Sequence, residues 1–244
     1  MSTLNPMTLT SNYDMSHALP ELAVADPARY LAFEEGPAPA ARSLVKKAMD
    51  VAGAFCGLVV LSPVLAVVAI LVRCTSAGPI LFRQRRMGLG GRSFYCLKFR
   101  TMVSDAEARL RDLEAKNESA GGVLFKIKDD PRITKVGRFF RKTSLDELPQ
   151  LWNVLKGEMS LVGPRPLQIR DSEKLADLDF DGYSKRLCVL PGVTGPWQVG
   201  GRSDLDSEGM IRLDLDYVEN WTIATDLGIL SKTVVVVFAG KGAC

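Results

Sequence analysis

Residues 51–72 contain no charged side chain, and this stretch constrains the fold more than any other feature of the chain. As an α-helix its 22 residues would be about 33 Å long, which matches the hydrocarbon thickness of a bilayer. The stretch begins some fifty residues into the chain and is longer than the apolar core of a signal peptide. A fully buried core helix is the alternative, but this length without charge is rare in a soluble domain of this size. We therefore predict a membrane segment.

Basic residues flank this stretch on both sides, and they bear on its course through the membrane. Positive charge is retained on the cytoplasmic side of a membrane, so two positive flanks give a simple spanning helix no clear orientation. A helix that enters, turns and leaves on one face would satisfy both flanks. The flanking residues are Arg42, Lys46 and Lys47 before the stretch and Arg73, Arg83, Arg85 and Arg86 after it.

Ser62 and Pro63 lie near the middle of the stretch. Proline lacks a backbone donor and bends a helix, while a serine hydroxyl can satisfy the carbonyl that is freed. We therefore predict a re-entrant membrane helix over residues 42–74, broken at Ser62 and Pro63. A spanning helix with a proline kink remains the alternative.

The rest of the chain divides at this segment. Residues 1–41 are rich in Ala, Pro and small polar residues and predict a flexible N-terminal extension, while residues 75–244 predict a cytoplasmic domain. Within that domain, residues 79–84 and 94–100 alternate like two strands around a Gly-rich turn, which predicts a β-hairpin. The turn glycines fit no phosphate-loop motif, so a plain turn is favoured over a phosphate cradle. The predicted fold class is α+β, mostly helical with this small β-hairpin.

The C-terminal part of the chain, from Asp206 onward, places apolar residues beside charges. This pattern predicts interfacial amphipathic helices that hold the domain against the membrane. The valine-rich run Thr233–Phe238 is compatible with either helix or strand, because periodicity does not separate the two in a run this short.

Residues available for catalysis are limited by the histidine content. The single histidine, His17, lies in the N-terminal extension, so Ser-His-Asp and Cys-His catalysis are disfavoured. The five cysteines show no Cys-x-x-Cys spacing, which disfavours a zinc site or a disulfide framework. Carboxylates, lysine and a bound metal remain as the chemical groups.

Asp146 and Glu147 are adjacent carboxylates at the predicted start of a helix. Ser144 has capping-box spacing to Glu147, and Pro149 favours a start slightly later, with Asp146 as the cap. Either start places both acids at a helix N-terminus, whose amides and dipole would keep Asp146 ionised as a nucleophile requires. Adjacent carboxylates also suit Mg²⁺. Two ordinary capping acids are the alternative.

Basic residues and stiff loops surround this acidic pair in the sequence. Arg165 stands between two prolines, which suits a fixed guanidinium fork for phosphate oxygens. The stretch 190–199 is a second Gly- and Pro-rich loop. A basic cluster just before the acids could contact anionic headgroups or a diphosphate, or form a solvated face; it comprises Arg132, Lys135, Arg138, Arg141 and Lys142.

Four blocks together carry a resemblance to a known family: Lys98–Met102, Arg141–Gly157, Met159–Pro166 and Pro191–Gln198. They resemble the bacterial sugar transferase family, the monotopic polyprenyl-phosphate phosphoglycosyl transferases, from about Ser43 to the C-terminus. The order of the blocks is that of the family. The absence of further membrane helices makes the chain similar to the short form, like the galactose-phosphate-transferring exopolysaccharide starters of rhizobia.

The resemblance implies a covalent mechanism and specific roles. Asp146 would attack the sugar-bearing phosphate of a UDP-sugar, release UMP and pass the phosphosugar to polyprenyl phosphate. Glu147 would bind the required Mg²⁺. Arg141 and Arg165, with Lys98 and Arg100 of the first block, would bind phosphate or nucleotide groups. The family also has a re-entrant membrane helix broken at a Ser-Pro pair, as at Ser62 and Pro63.

The implied partners are a UDP-sugar of galactose or glucose type, undecaprenyl or another polyprenyl phosphate, and membrane lipids, with a homodimer left open. The implied location is the cytoplasmic face of the bacterial inner membrane, at the first membrane step of exopolysaccharide or other surface glycan synthesis. A non-catalytic membrane scaffold of polysaccharide assembly is the alternative. No nucleic-acid partner is expected, because no recognition motif is present and the basic residues adjoin a membrane segment.

Overall fold

The computed structural model describes residues 38–106, 108–109, 127, 129–201 and 207–239. Most of the N-terminal extension predicted for residues 1–41, including His17, lies outside the described residues. Its last part is described, and there Ala40 is buried within a short helix.

Helices dominate the described residues, as predicted, and two small β-pairs accompany them. The helices are α1 (Pro39–Arg42), α2 (Leu44–Thr75), α3 (Lys135–Lys142), α4 (Gln150–Leu155), α5 (Ile169–Leu178), α6 (Phe180–Arg186), α7 (Pro196–Val199), α8 (Ser207–Glu219) and α9 (Ile223–Ala239). The strands are β1 (Leu81–Met87), β2 (Ser93–Phe99), β3 (Ser160–Val162) and β4 (Gly192–Thr194).

The predicted β-hairpin is confirmed. β1 and β2 pair antiparallel, with Phe82 opposite Lys98 and Gln84 opposite Cys96. Gly90, in the connecting turn, has a φ of 61°, a conformation that glycine adopts without steric cost. A second pair, β3 with β4, is parallel, and the sequence analysis did not anticipate it.

Helix α2 is the one helix in the described part of the chain that is long and apolar enough to cross a membrane. One stripe of this helix is buried, at Lys46, Asp50, Ala54, Val68 and Val72. Most of the remaining surface is exposed and apolar. The domain therefore contacts this helix near both of its ends and not at one end alone.

Two apolar clusters form these contacts. Ala54 packs with Leu151 and Val154 of α4. Val68 and Val72, nearer the other end, pack with Phe99 of β2 and Phe140 of α3. Both ends of α2 are therefore packed against the domain.

The predicted break at Ser62 and Pro63 lies within a continuous helical assignment over Leu44–Thr75. Pro63 cannot donate to the carbonyl of Val59, four residues earlier, and the Ser62 hydroxyl donates to that carbonyl at 2.8 Å. The serine thus has the compensating contact that the sequence suggested. The re-entrant course itself stays a prediction.

The N-terminal end of α2 is joined to α9 by a buried group of polar side chains that we call the Lys46–Asp226 cluster. Lys46 Nζ donates to Asp226 Oδ2 at 2.7 Å and to the carbonyl of Val162 at 3.0 Å. Tyr217 donates to Asp226 Oδ1 at 2.8 Å, and Trp221 Nε1 to Oδ2 at 3.1 Å. These contacts hold β3 between the two helices.

The valine-rich run Thr233–Phe238 lies within α9 and is therefore helical. Thr233 bonds to Thr194 of β4 at 2.8 Å, so the helix rests on the second β-pair. Leu227, Val234 and Val235 are exposed on α9. The interfacial role of the C-terminal helices stays a prediction.

Candidate active site

Asp146 and Glu147 lie in a single 3₁₀ turn, Leu145–Glu147, between α3 and α4. The predicted helix start is wrong in detail, because α4 begins only at Gln150 and Ser144 makes no capping hydrogen bond with its side chain. Ser144 instead has a φ of 56°, in the left-handed region that non-glycine residues rarely occupy. The chain reverses there, which presents the two acids beside the β-hairpin.

The turn is fixed against β2 through Asn153, which is fully buried in α4. Its Oδ1 accepts from the backbone N–H of Leu97 at 3.0 Å, and its Nδ2 donates to the carbonyl of Tyr95 at 2.8 Å. These bonds lie on either side of Cys96 and directly before Lys98. Asn153 therefore sets the distance between the strand that carries Lys98 and the turn that carries the acids.

Glu147 is held by two cations. Its Oε1 accepts from Lys98 Nζ at 2.7 Å and from Arg165 Nη2 at 2.9 Å. Burial by itself would raise the pKa of Glu147, but Arg165 and Lys98 outweigh it and hold that pKa well below its usual range. Glu147 is consequently ionised at every physiological pH.

Asp146 is buried, with 7% of its surface exposed, yet its surroundings differ from those of Glu147. Within the described ranges no hydrogen bond reaches its carboxylate. Burial, together with the charge of Glu147, raises the pKa of Asp146 to about 6 against the opposing charges of Lys98, Arg141 and Arg165. The predicted effect of a helix dipole is thus replaced by burial, and Asp146 remains mostly ionised at neutral pH.

Arg141 and Arg165 reach the site from different elements of the fold. Arg141, in the last turn of α3, donates to Thr101 Oγ1 at 2.9 Å and interacts electrostatically with Asp146. Arg165 lies in the loop between β3 and α5, with its guanidinium 5.9 Å from the ring centre of Trp197. With Lys98 these make three cations against two carboxylates, an excess of one positive charge that suits a phosphate group.

Arg100 does not join this group. Its guanidinium donates to Ser76 Oγ at 3.2 Å, to the Ser76 carbonyl at 2.6 Å and to the Pro79 carbonyl. These contacts secure the chain where it leaves α2. The predicted phosphate-binding role of Arg100 therefore has no geometric support here, whereas Asp146, Glu147, Lys98, Arg141 and Arg165 are brought together.

One residue near the site was missed by the sequence analysis, which treated Arg86 only as part of a positive membrane flank. Arg86 is buried, donates to the carbonyl of Pro166, and interacts electrostatically with Arg165 and Glu147. The period-two pattern of β1 was the available signal. It places Arg86 on the same strand face as Gln84, to which it donates at 2.9 Å.

The acidic pair offers a limited ligand set for a metal. Among the described residues there is no group of three or more His, Cys, Asp or Glu side chains that could hold an ion. Glu147 uses Oε1 for its two cations, which leaves Oε2 available. One or two carboxylates fit Mg²⁺, which keeps several waters and shares substrate phosphates, better than they fit an ion enclosed by protein.

Residues 41–240 match the family model described as bacterial sugar transferase. An undecaprenyl-phosphate galactose phosphotransferase of Salmonella typhimurium is 45% identical over 202 residues, covering 82% of this chain. A UDP-glucose:undecaprenyl-phosphate glucose-1-phosphate transferase of Escherichia coli is 39% identical over 205 residues, again 82% of this chain. The chain spans only 41% of the length of each of these two relatives.

A relative of similar length also matches. The exopolysaccharide production protein ExoY of Sinorhizobium fredii is 41% identical over 201 residues, which cover 81% of this chain and 87% of the relative. The resemblance seen in four sequence blocks therefore extends over most of the chain.

Proposed function

The chain belongs to the bacterial sugar transferase family, and from this premise we propose that it moves a sugar 1-phosphate from a UDP-sugar to a polyprenyl phosphate. One observation carries the proposal beyond the family match. Asp146 is only 7% exposed and interacts with three cations, and its carboxylate accepts no hydrogen bond in the described part of the chain. A carboxylate that is unpaired in the protein but still reachable from outside suits a ligand that supplies the missing partner.

The proposed first step is attack by an Asp146 oxygen on the sugar-bearing phosphorus of the UDP-sugar. A phosphorus–oxygen bond to the carboxylate forms, the bond to the bridging oxygen breaks, and UMP leaves. In the second step an oxygen of polyprenyl phosphate attacks the same phosphorus and displaces the Asp146 carboxylate. The product is a polyprenyl diphosphate sugar. The first step needs ionised Asp146, which a pKa of about 6 allows at neutral pH, and in the second step the carboxylate leaves as the anion.

The cations would orient the phosphates and stabilise the charge that builds on them during transfer. Lys98 and Arg165 share Glu147 and therefore stand beside Asp146 in fixed positions. Arg141 would approach from the α3 side. This division agrees with the roles that the family resemblance implies for Arg141, Arg165 and Lys98.

Mg²⁺ is proposed as the cofactor, with Glu147 as its protein ligand. When bound, it would neutralise negative charge on the diphosphate. The free Oε2 of Glu147 and the small acidic set support a site completed by water and substrate oxygens. The ion pairs of Glu147 with Lys98 and Arg165 would hold its side chain in place for that contact.

The membrane course is proposed as re-entrant, with the domain on the cytoplasmic face of the bacterial inner membrane. Lys46 and Val72 are 26 residues apart, about 39 Å along a straight helix, yet both are buried against the domain. A spanning helix would carry one end across roughly 30 Å of hydrocarbon, away from a domain on the other side. Contact with one domain at both ends supports insertion from one face.

The sugar is proposed to be of galactose or glucose type, because the relatives include a galactose phosphotransferase and a glucose-1-phosphate transferase. The likeness to ExoY favours exopolysaccharide synthesis as the setting. A homodimer stays a prediction.

Intact-protein mass spectrometry tests the covalent route. The full chain in detergent micelles is incubated with Mg²⁺ and each of a panel of UDP-sugars, without lipid acceptor, while UMP release is measured. We expect a mass increase of one sugar phosphate on wild type and none on Asp146→Asn, with UMP released in equal amount. Turnover with lipid acceptor but no adduct would exclude the covalent route.

The same experiment addresses the alternative, a non-catalytic scaffold of polysaccharide assembly. Asp181→Asn is the matched control, because Asp181 is an exposed carboxylate that pairs with Lys185 at the surface. If neither wild type nor this control releases UMP with any UDP-sugar or transfers sugar phosphate to lipid, the scaffold replaces the transferase.

A further inference from the structure

The loop that carries Arg165 is held through its carbonyl groups. Pro164 and Pro166 have no backbone N–H, so the loop offers acceptors at these positions and few donors. The Pro164 carbonyl accepts from the N–H of Gly192 at 2.9 Å, and the Pro166 carbonyl accepts from Arg86. The carbonyl of Arg165 itself, between them, accepts from Nη2 of Arg186 at 3.2 Å.

Arg186 ends α6 and is 4% exposed. Its Nε donates to Asp214 Oδ2 at 2.8 Å, its Nη2 lies 2.7 Å from the same oxygen as an ion pair, and Asp214 on α8 is fully buried. A buried ion pair of this kind is weak support for stability, because hydrophobic residues of similar volume often do as well. The pair therefore suggests a second role, and the contact to Arg165 indicates which one.

The space behind the loop leaves little room for movement. A cavity of about 10 Å³ lies there, with Arg165, Arg186 and Tyr183 among its lining residues. That volume is enough for about one water molecule. A loop packed this closely transmits the position of its backbone to the side chain it carries.

We propose that Arg186 and Asp214 are a positioning pair, which fixes the carbonyl of Arg165 and so aims the Arg165 guanidinium at Glu147 and at a phosphate of the UDP-sugar. The inference rests on the proposed function. The chain of contacts runs from Asp214 through Arg186 to the Arg165 backbone, and from the Arg165 side chain to Glu147 at 2.9 Å. Neither member of the pair contacts the proposed nucleophile.

The test uses Arg186→Lys, which keeps the positive charge but loses the planar guanidinium that contacts Asp214 and the Arg165 carbonyl at the same time. Single-turnover adduct formation is followed by mass spectrometry against time and UDP-sugar concentration. We expect the rate constant to fall about 10- to 100-fold, because a displacement near 1 Å can cost about 10²-fold. We also expect the half-saturating UDP-sugar concentration to rise while the final amount of adduct stays near that of wild type.

Lys185→Gln is the matched control, since Lys185 precedes Arg186 on α6 and pairs with exposed Asp181. It should retain the wild-type rate constant. Asp214→Asn leaves the Arg186 guanidinium with a neutral partner. Its rate constant for adduct formation should fall as in Arg186→Lys. A loss confined to the amount of adduct, with the rate constant unchanged in Arg186→Lys, would mean a merely structural role and overturn the proposal.

A double-mutant comparison tests the route through Arg165. In an Arg165→Ala background, Arg186→Lys should cost less than about threefold, because the side chain to be aimed is gone. A full additional 10- to 100-fold loss would overturn the positioning role. If wild type forms no adduct and transfers no sugar phosphate to lipid with any UDP-sugar, the proposed function fails; if wild type forms the adduct and Arg186→Lys matches Lys185→Gln, only this inference fails.

Discussion

Two of the buried groups of charged side chains in the described part of the molecule are satisfied to different degrees. In the Lys46–Asp226 cluster, the Asp226 carboxylate accepts hydrogen bonds from Lys46, Tyr217 and Trp221. At the candidate active site, Asp146 accepts none from the described residues. A buried carboxylate that connects two helices stabilises their packing when it is fully hydrogen-bonded. A carboxylate without such partners destabilises the folded state unless a ligand supplies them.

The two groups are also connected. The carbonyl of Val162 accepts from Lys46, and three residues later Arg165 reaches Glu147. Strand β3 therefore links the joint between α2 and α9 to the loop that serves the active site. Substitutions at the candidate active site should lower the transfer rate, whereas substitutions in the Lys46–Asp226 cluster should lower the free energy of unfolding.

The largest effect is expected for Asp146→Asn. Loss of the nucleophile should lower turnover by about 10⁴-fold or more. The melting temperature should stay equal or rise, because burial raises the pKa of Asp146 to about 6 and its ionised form is unfavourable in the folded state at neutral pH. Turnover assays and thermal unfolding in the same detergent check both parts. A large decrease in melting temperature would mean that Asp146 stabilises the fold, as Asp226 does in the Lys46–Asp226 cluster.

Glu147→Gln should lower turnover by about 10²- to 10³-fold, because Lys98 and Arg165 lose their shared anion and the proposed Mg²⁺ loses its ligand. Raising the Mg²⁺ concentration should recover part of the lost rate if the weaker ligand is the cause. Asp181→Asn, measured alongside, should be indifferent to this titration. A rate for Glu147→Gln equal to that of wild type would refute a role in metal or phosphate binding.

Asp226→Asn should act on stability. It leaves Lys46 buried beside a neutral partner, and breaking a buried ion pair costs about 3 kcal/mol. The adduct rate constant of the molecules that remain folded should be near that of wild type, which separates this variant from Asp146→Asn. Chemical unfolding and burst-amplitude measurements check the two quantities. An unchanged unfolding midpoint with a greatly reduced rate constant would reverse the assignment.

The smallest effect is the pH dependence of adduct formation. Because Asp146 must be ionised and burial raises its pKa to about 6, the rate should fall about tenfold per unit as pH decreases below 6. Arg141 lowers that pKa, so Arg141→Gln should move the acid limb to higher pH. A rate independent of pH between 5 and 7.5 would contradict the raised pKa.

The sequence predicted the local features of the molecule better than its long-range ones. The β-hairpin, the apolar helix and the compensating contact of Ser62 follow from periodicity and backbone chemistry within a few residues. The meeting of Lys98, Arg141, Glu147 and Arg165 followed from a resemblance, not from spacing. The helix start at Asp146 was misplaced because Ser144 adopts a left-handed conformation that no local pattern signals.

Contacts that depend on the tertiary fold were missed. Lys46 pairs at 2.7 Å with Asp226, 180 residues away, and nothing near Lys46 in the sequence indicates that partner. Arg186 and Asp214 come from two helices whose individual patterns show nothing unusual. Such pairs arise from the packing of elements, so neither partner carries a local signal of the other.

The burial of α2 against the domain near both ends has a consequence for the lipid environment. A helix that spans a bilayer must tilt or deform the lipids when its length and the hydrocarbon thickness differ. On the proposed re-entrant course, a helix held by the domain at Ala54, Val68 and Val72 would meet lipid only to the depth of the near leaflet. Sugar-phosphate transfer in vesicles of short- and long-chain lipids should then vary little, whereas a spanning anchor would make it depend on membrane thickness.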